Sequence, residues 1–323
     1  MNTMQRRTVL AGFAGMLAAP AAADGWPEKP VVWIAPAAPG APFDGFGRPV
    51  ASHVAEALGR PIIIDNRSGA GGTIGIAAAA RAPADGYTFL IGATSSTYLQ
   101  AIYPNAGFDF TRDFVPITAL ARIQLVLAVN RERLNVSTLA EFIEAARRSP
   151  DSIEIASPGI GTVPHLAAEL LQERSGITLH HVPYRDGGQL MQDLIAGRIA
   201  ATWTSAGLIS GHLKDGSIRV LATAGRRREA LLPDVPTADE AGLKDFRAIA
   251  WFALFAPHGT PVAILDRLHG AVQETLRSDA IRQSWAEQGA KVELESRSDF
   301  ARFVDQEVVR WNAIARSANI KLE

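Results

Sequence analysis

Short apolar runs closed by proline, glycine or a polar residue recur along the chain between residues 31 and 225. Runs bounded in this way are typical of buried strands. The predicted strands are VVWIAPA (31–37), PIIIDN (61–66), YTFLIGA (87–93), LVLAVN (125–130), SIEIAS (152–157) and RVLATAG (219–225), with a further strand ending at TWTSAG (202–207).

Apolar residues recur at helical spacing between these runs. Val50, Val54 and Leu58 share one face of a predicted helix, and Gly59 follows as its end. Similar stripes run through residues 139–146, 166–171 and 190–195. Alternating apolar strands and amphipathic helices predict an α/β fold with mainly parallel sheets flanked by helices. Residues 261–323 are mostly helix-like and are predicted to wrap back onto an earlier sheet.

The first 23 residues have the layout of a cleavable signal peptide. Arg6 and Arg7 precede an apolar stretch, and three alanines end the segment at Ala23. A membrane anchor is the alternative, but the apolar stretch is shorter than the roughly 20 residues that a span needs. The paired arginines fit twin-arginine export, although Sec signals also carry them. We expect the chain to be exported.

The charge and the cysteine content of the chain limit which functions and which means of stabilisation are plausible. Cleavage after Ala23 removes two arginines and no acid, so 32 basic residues become 30 against 33 acidic ones, a net charge of −3. This balance does not favour binding to nucleic acid. Cysteine is absent, so an exported chain must rely on a sizeable buried core. The length of the mature chain predicts two domains.

The stretch APAAPGAPFDGFGR (35–48) follows the first predicted strand and leads into a helix. Ligands of open α/β sheets bind where strands lead into helices. Gly40 allows a tight turn, which Pro39 and Pro42 stiffen. Asp44 heads the helix and can cap it, which is an alternative to ligand contact. The apolar lining of this loop would be formed by Ala37, Ala38, Ala41 and Phe43.

A second loop, ASPGIGTVPHLAAEL (156–170), follows the strand that ends at Ser157. Gly159 and Gly161 let the backbone approach a bound group, and Thr162 is a candidate helix N-cap. Free N–H groups at such a helix start favour a carboxylate or a phosphate. His165 in the first helical turn is a further candidate for ligand contact. From this loop alone, a plain strand-to-helix turn is the simpler interpretation.

Three further loops contain candidate ligand contacts. Thr94 and Ser95 follow a predicted strand and offer hydroxyls, or form only a polar turn. Arg185 could pair with a carboxylate, or with its neighbour Asp186 on the surface. Ser205 ends another predicted strand and could face a cleft.

Sequence signatures of enzymes are missing. The chain contains no G-x-S-x-G, H-E-x-x-H or G-x-x-x-x-G-K-[ST] motif. His180 and His181 are neighbours, so on a strand they point to opposite faces and cannot share a metal ion. We therefore expect no catalytic nucleophile–base pair, no metal and no cofactor.

Several stretches in order resemble the periplasmic solute-binding proteins of tripartite tricarboxylate transporters, also called the Bug family. They are WPEKPVVWIAPAAPGAPFDGFGR, GRPIIIDNRSGAGGTIG, ADGYTFLIG, DFTRDFVPI, IASPGIGTVPHLAAEL, HVPYRDGG, LLPDVPTADEAGL, FAPHGTP and WNAIARSANIKLE. The resemblance covers essentially the whole mature chain. It implies a two-lobed, type II-like Venus-flytrap fold with residues 24–124 and 251–323 in one lobe and 125–250 in the other. LVLAVN and WFALFAP would be the segments that cross between the lobes.

The resemblance also implies a function without catalysis. A small organic carboxylate would bind between the lobes in the periplasm, and membrane transporter subunits would receive it. A sensor that docks onto a membrane kinase is an alternative, and a periplasmic hydrolase is a third hypothesis. The protein would act as a monomer and bind no nucleic acid. The expected ligand-binding residues are Ala38, Pro39, Gly40, Ala41, Phe43, Asp44, Thr94, Ser95, Ser157, Gly159, Gly161, Thr162, His165, Tyr184, Arg185 and Ser205.

The chain departs from the family pattern at three positions. The first loop usually reads P-G-G-x-x-D, but here Ala41 replaces the second glycine and Pro42 follows. Thr162 stands where serine is common, and Asp186 stands where a small residue is usual. The first departure changes the residues of the turn but keeps its spacing to Asp44.

Overall fold

The structure, a computed structural model, describes residues 25–185, 187–213 and 216–320. The predicted signal peptide (1–23) and Asp186 lie outside the described residues. The strands are β1 Val31–Ala35, β2 Ile62–Asn66, β3 Thr88–Ala93, β4 Phe114–Asn130, β5 Glu154–Ser157, β6 His180–Pro183, β7 Ala201–Ser205, β8 Ile218–Thr223, β9 Ile249–Pro257 and β10 Ala290–Lys291. The helices are α1 Pro42–Leu58, α2 Thr73–Ala80, α3 Leu99–Ile102, α4 Phe110–Asp113, α5 Leu139–Arg148, α6 Val163–Ser175, α7 Gly187–Ile195, α8 Ala206–Ile209, α9 Val262–Thr275, α10 Asp279–Glu287 and α11 Arg297–Ser317.

The strands are hydrogen-bonded in the order β2-β1-β3-β9-β4-β7-β5-β6, with β8 and β10 also paired to β4. The pairs β1–β2, β1–β3, β5–β6 and β5–β7 are parallel. Antiparallel β4 and β9 stand between these two parallel groups. The result is the predicted two-lobed α/β fold: β1, β2, β3, β9 and β10 with the first part of β4 form the first lobe, and β5–β8 with the rest of β4 form the second.

Strand β4 runs through both lobes. It pairs with β9 up to Gln124 and with β7 and β8 from Leu125 onward. The chain returns beside this point, where the Leu125 N–H donates to the Ala248 carbonyl at 2.9 Å. The prediction that LVLAVN and WFALFAP are crossings is therefore wrong in detail. LVLAVN lies wholly in the second sheet, and WFALFAP pairs within the first, so each crossing lies just before the predicted segment.

The carboxyl ends of the parallel strands in the two lobes face one another across this junction. In the first lobe, Ala93 at the end of β3 pairs with Phe252 near the start of β9. The start of β9, Ile249, pairs with Gln124. In the second lobe, Ser205 at the end of β7 pairs with Leu125. The loops that follow β1, β3, β5 and β7 consequently border one cleft, where ligands of α/β folds bind.

Each lobe has its own apolar core, and helix α11 contacts both lobes. Trp33, Phe89 and Leu268 are buried in the first lobe, whereas Phe142 and Leu166 are buried in the second. The second core also includes residues contributed from first-lobe elements, namely Tyr98, Ile102, Trp311 and Ile314. The predicted return of the helical tail is confirmed, and α11 additionally packs on α6. No helix within residues 25–185, 187–213 and 216–320 has the length and apolar character needed to cross a membrane.

Candidate ligand-binding site

The first loop is a tight turn built on Pro39 and Gly40. The Ala41 N–H donates to the Ala38 carbonyl at 3.2 Å, and Gly40 has a φ of 81°. Proline followed by a residue with positive φ is typical of a type II turn, so glycine is required at position 40. Ala41 has φ −67° and ψ 163° and forms the N-cap of α1. Ala41 replaces the usual glycine without strain because its backbone is in an ordinary extended conformation.

Asp44 holds this turn from inside the helix. It lies in the first turn of α1 rather than at its head, and its carboxylate accepts from the Gly40 N–H at 3.1 Å and from Arg48. The hydrogen bond from Arg48 lowers the pKa of Asp44. The carboxylate is thus neutralised by a partner, and its effect on a nearby ligand anion is reduced. The N–H of Phe43 has no acceptor within residues 25–185, 187–213 and 216–320.

The second loop is anchored through one carbonyl oxygen. The Gly159 oxygen accepts from the Ser157 hydroxyl at 2.9 Å, from the Thr162 hydroxyl at 2.7 Å and from the Thr162 N–H at 3.3 Å. A trans peptide is planar, so the N–H of Ile160 points opposite to this anchored carbonyl. Ile160 is 45% exposed, and its N–H has no acceptor in the part of the chain that the structure describes.

Helix α6 begins directly after this loop, and two N–H groups of its first turn lack an acceptor among the described residues. Thr162 is the N-cap as predicted, but its hydroxyl donates to Gly159 and does not cap the helix. Within the described ranges, the N–H groups of Val163 and His165 find no acceptor in the preceding turn. Pro164 has no N–H to satisfy. Together with Ile160, these amides offer a cluster of donors at the positive end of the helix dipole, which favours an anion.

Two histidines lie beneath the second loop. His165 is 6% exposed, and its Nδ1 accepts from the Gly161 N–H at 3.0 Å. The His181 ring stacks on it with 3.8 Å between ring centroids, and His181 Nε2 lies 2.7 Å from Ser157 Oγ. His180 faces the other way, toward Asp151. The two neighbouring histidines point in different directions, as predicted, but His181 meets residues far away in the sequence.

The fold places the Ser157 hydroxyl beside His181, a contact that no sequence motif indicated. Ser157 is 1% exposed, and its hydroxyl proton is directed to the Gly159 carbonyl, so Ser157 accepts from His181 Nε2. Burial and the neighbouring His165 lower the pKa of His181 to about 4. A base with so low a pKa is poorly matched to removing a serine proton near neutral pH. The contact between Ser157 and His181 therefore supports the second loop.

The remaining predicted residues border the cleft. They differ in whether their polar side chains are already engaged in protein hydrogen bonds. Ser95 is partly exposed beside the buried Thr94, whose hydroxyl accepts from the Trp251 N–H at 2.8 Å and so joins β3 to β9. The Tyr184 hydroxyl donates to Asp193 at 2.8 Å. Arg185 is exposed and has no polar partner within residues 25–185, 187–213 and 216–320. Ser205 caps α8 by accepting from the Leu208 N–H at 3.4 Å.

An aromatic cluster lines the first-lobe side. The rings of Phe43 and Phe252 meet edge to face with centroids 5.4 Å apart, and Phe46 stacks on Phe252 at 5.0 Å. Phe43 is partly exposed at the start of α1, whereas the other two rings are buried. Of the four residues predicted to form an apolar lining, Phe43 is held in place by this ring packing.

The sequence-based reasoning missed Ile160, His181 and Tyr98. The Tyr98 hydroxyl donates from the first lobe to the Gly161 carbonyl of the second loop at 3.0 Å. The position of Ile160 between two glycines was the available signal. His181 and Tyr98 have no such signal, because only the fold brings them to the loop. Among the described residues, no group of three or more His, Cys, Asp or Glu side chains could hold a metal ion.

Comparisons with known proteins agree with this architecture. A profile of the tripartite tricarboxylate transporter family receptor matches residues 46–320. Protein BugT of Bordetella pertussis is 33% identical over 309 residues, which are 95% of this chain and 94% of that protein. A solved structure of an R. palustris protein with adipate has 33% identity and a TM-score of 0.78, covering 92% of this chain and 100% of that one. MatC from Rhodopseudomonas palustris with bound malate has 30% identity and a TM-score of 0.76, covering 90% and 100%. The chain therefore belongs to the family of tripartite tricarboxylate transporter receptors.

Proposed function

We propose that this protein is a periplasmic solute-binding protein that captures a small organic carboxylate between its two lobes. The N–H groups of Ile160, Val163 and His165, which have no acceptor among the described residues, carry this proposal. They lie at or just before a helix N-terminus, on a loop that borders the cleft, where a negative group is favoured. The family membership and the carboxylates in the related solved structures support the same ligand class.

The first lobe supplies the opposite side of the site. The Phe43 N–H and the partly exposed Ser95 hydroxyl are donors there, and the Phe43 ring offers an apolar face. Closure of the lobes, with a boundary near Gln124 and Leu125, would bring both sets of donors onto the ligand and exclude water. Asp44, Thr94 and Tyr184 support the site, since their side chains are engaged in protein hydrogen bonds.

The apolar face of Phe43 favours a carboxylate with an aliphatic or aromatic body over one as polar as citrate. Phe43 is held edge to face against Phe252 and so keeps its orientation when a ligand arrives. We propose no chemistry at Ser157, whose buried hydroxyl is directed to a backbone carbonyl.

We further propose that the protein is exported by its N-terminal segment, acts as a monomer, and delivers its ligand to the membrane subunits of a tripartite tricarboxylate-type transporter. The family profile supports a transporter receptor. Delivery is tested by uptake of a labelled ligand in cells that carry or lack this chain. Loss of uptake in its absence, with restoration by the full chain, is expected.

The binding function is tested by a thermal-shift and calorimetric screen of adipate, malate, benzoate and citrate against the mature protein. The informative variants are Ile160→Pro, which removes the donor N–H, and Ile160→Ala, which keeps it. Ile160 is not among the residues with positive φ, so proline suits its backbone better than it would suit Gly159.

We expect a carboxylate to raise the melting temperature and to bind the proline variant at least roughly tenfold more weakly than the alanine variant, the value of about one hydrogen bond to a charged group. Equal affinity in the two variants would contradict the proposed site. Stabilisation by none of a broad panel of carboxylates would contradict the ligand class.

A further inference from the structure

The N–H and the carbonyl of Gly161 are both hydrogen-bonded to residues that do not face the cleft. Its N–H donates to His165 Nδ1 at 3.0 Å, and its carbonyl accepts from the Tyr98 hydroxyl at 3.0 Å. His165 belongs to α6 of the second lobe, whereas Tyr98 follows β3 of the first. The φ of Gly161 is +74°, a conformation that glycine adopts readily. Gly161 belongs to the second loop, which is the proposed ligand loop, and thus ties this loop to both lobes.

The hydrogen bond from Gly161 determines the tautomer of His165. A nitrogen that accepts a hydrogen bond carries no proton, so the neutral ring must be protonated at Nε2. Nε2 lies 3.5 Å from a carboxylate oxygen of Glu169, on the next turn of α6. With one nitrogen bonded to the loop, the other facing Glu169 and the ring buried, the His165 side chain has no group left for a ligand.

The His181 ring fixes the plane of His165 and links it to the anchored carbonyl. The two rings are nearly parallel, at an angle of 13°. His181 also contacts Ser157, which donates to the Gly159 oxygen. The Gly159–Ile160 peptide and the Gly161 N–H are therefore held by one contiguous set of side chains.

Tyr98 makes the conformation of the second loop depend on the position of the first lobe. Its ring is completely buried and lies 6.0 Å from the Trp311 ring of α11. The hydroxyl reaches Gly161 only while the two lobes keep this relative position. A shift of one lobe against the other must therefore break this bond or move the loop with it.

We propose that His165 and Tyr98 are positioning residues that together set the conformation of the ligand loop through Gly161, without touching the ligand. His165 acts as the Nε2–H tautomer within its own lobe, and Tyr98 couples the loop to the position of the first lobe. This inference rests on the proposed function, because the loop that they position is the proposed carboxylate site.

The test uses a pair of substitutions that separate the two nitrogens of His165. Asparagine places its side-chain oxygen close to the position of Nδ1, and glutamine places it close to Nε2. We expect His165→Asn to keep the bond from Gly161 and His165→Gln to lose it. Tyr98→Phe removes only the hydroxyl and keeps the buried ring.

The first readout needs no ligand. Nuclear magnetic resonance of the full mature protein should show His165 as the Nε2–H tautomer. The Gly161 amide should exchange with solvent roughly tenfold faster in His165→Gln than in wild type, the value of one hydrogen bond, and at nearly the wild-type rate in His165→Asn. An Nδ1–H tautomer, or equal exchange in both variants, would overturn the role of His165.

The second readout is adipate binding by calorimetry. We expect His165→Gln and Tyr98→Phe each to weaken binding by roughly tenfold and His165→Asn to restore most of the affinity. Wild-type affinity in Tyr98→Phe would overturn the coupling between lobes. If the exchange pattern holds while wild type binds neither adipate nor any other carboxylate in the panel, the positioning of the loop stands and the proposed function fails.

Discussion

The side-chain amide of Gln124 donates a 2.6 Å hydrogen bond to the carboxylate of Glu229. Gln124 is the last β4 residue paired with β9, and Glu229 lies in the second lobe after β8, 2% exposed. Lys291 of β10 approaches the same carboxylate at 3.5 Å. A buried anion of the second lobe is therefore paired with donors of the first lobe where the chain crosses.

Replacing Gln124 by alanine should lower the free energy of unfolding by about 1–3 kcal/mol, because a buried carboxylate loses one of its donors. Urea denaturation measures this change. Gln288→Ala is the matched control, since Gln288 is exposed and should change stability by less than about 0.5 kcal/mol. Equal effects of the two substitutions would show that the Glu229 contact contributes nothing.

Gly207 at the start of α8 lies against the turn between α10 and β10. A Cβ atom at Gly207 would come within 2.4 Å of the backbone carbon of Gln288, whereas one at Gly211 would meet nothing within 4 Å. Gly207→Ala should therefore displace the turn and lower the free energy of unfolding by about 1–3 kcal/mol, and Gly211→Ala should not. Thermal unfolding of both variants checks this, and indistinguishable melting temperatures would contradict the close contact between the lobes.

The pKa of His181 predicts a pH dependence of stability. Burial, followed by the neighbouring His165, lowers this pKa to about 4 in the folded protein, against about 6.5 in the unfolded chain. The unfolded state therefore binds more protons between these values, and the free energy of unfolding should fall as pH drops from 6.5 to about 4. His181→Gln removes the titrating group and should give a shallower fall in chemical denaturation over this range. An unchanged slope would contradict the lowered pKa.

The Asp44 carboxylate should matter more for the shape of the first loop than for direct ligand contact. Asp44→Ala removes the acceptor for the Gly40 N–H and the partner of Arg48. We expect it to lower the free energy of unfolding by about 1–2 kcal/mol, and Asp44→Asn by less because an acceptor remains. Denaturation curves compare the two variants. An equal loss in both would assign the effect to the ion pair alone.

The periodicity of the sequence was a good predictor of the strands and helices that position the candidate site. Helix α1 ends at Leu58, and Gly59 follows with a left-handed φ of 67°, as the pattern indicated. The first half of β4 was not predicted, because Pro116, Arg122 and Gln124 interrupt its apolar pattern. Its pairing with β9 shifts register twice, so tertiary contacts override the local pattern there.

The supports of the ligand loop could not be predicted from the sequence. Glycines and a helix start identified the loop, since backbone geometry is encoded locally. Ser157 and His181 are 24 residues apart and meet because β5 and β6 are adjacent parallel strands. Tyr98 is 63 residues from Gly161 and meets it only through the packing of the two lobes.

A crystal structure of the protein with a carboxylate selected by the binding screen would locate the ligand relative to the second loop and α6. We expect a carboxylate oxygen within roughly 3 Å of the Ile160 nitrogen and close to the first turn of α6. A carboxylate bound away from both the second loop and the turn at Gly40 would contradict the proposed site.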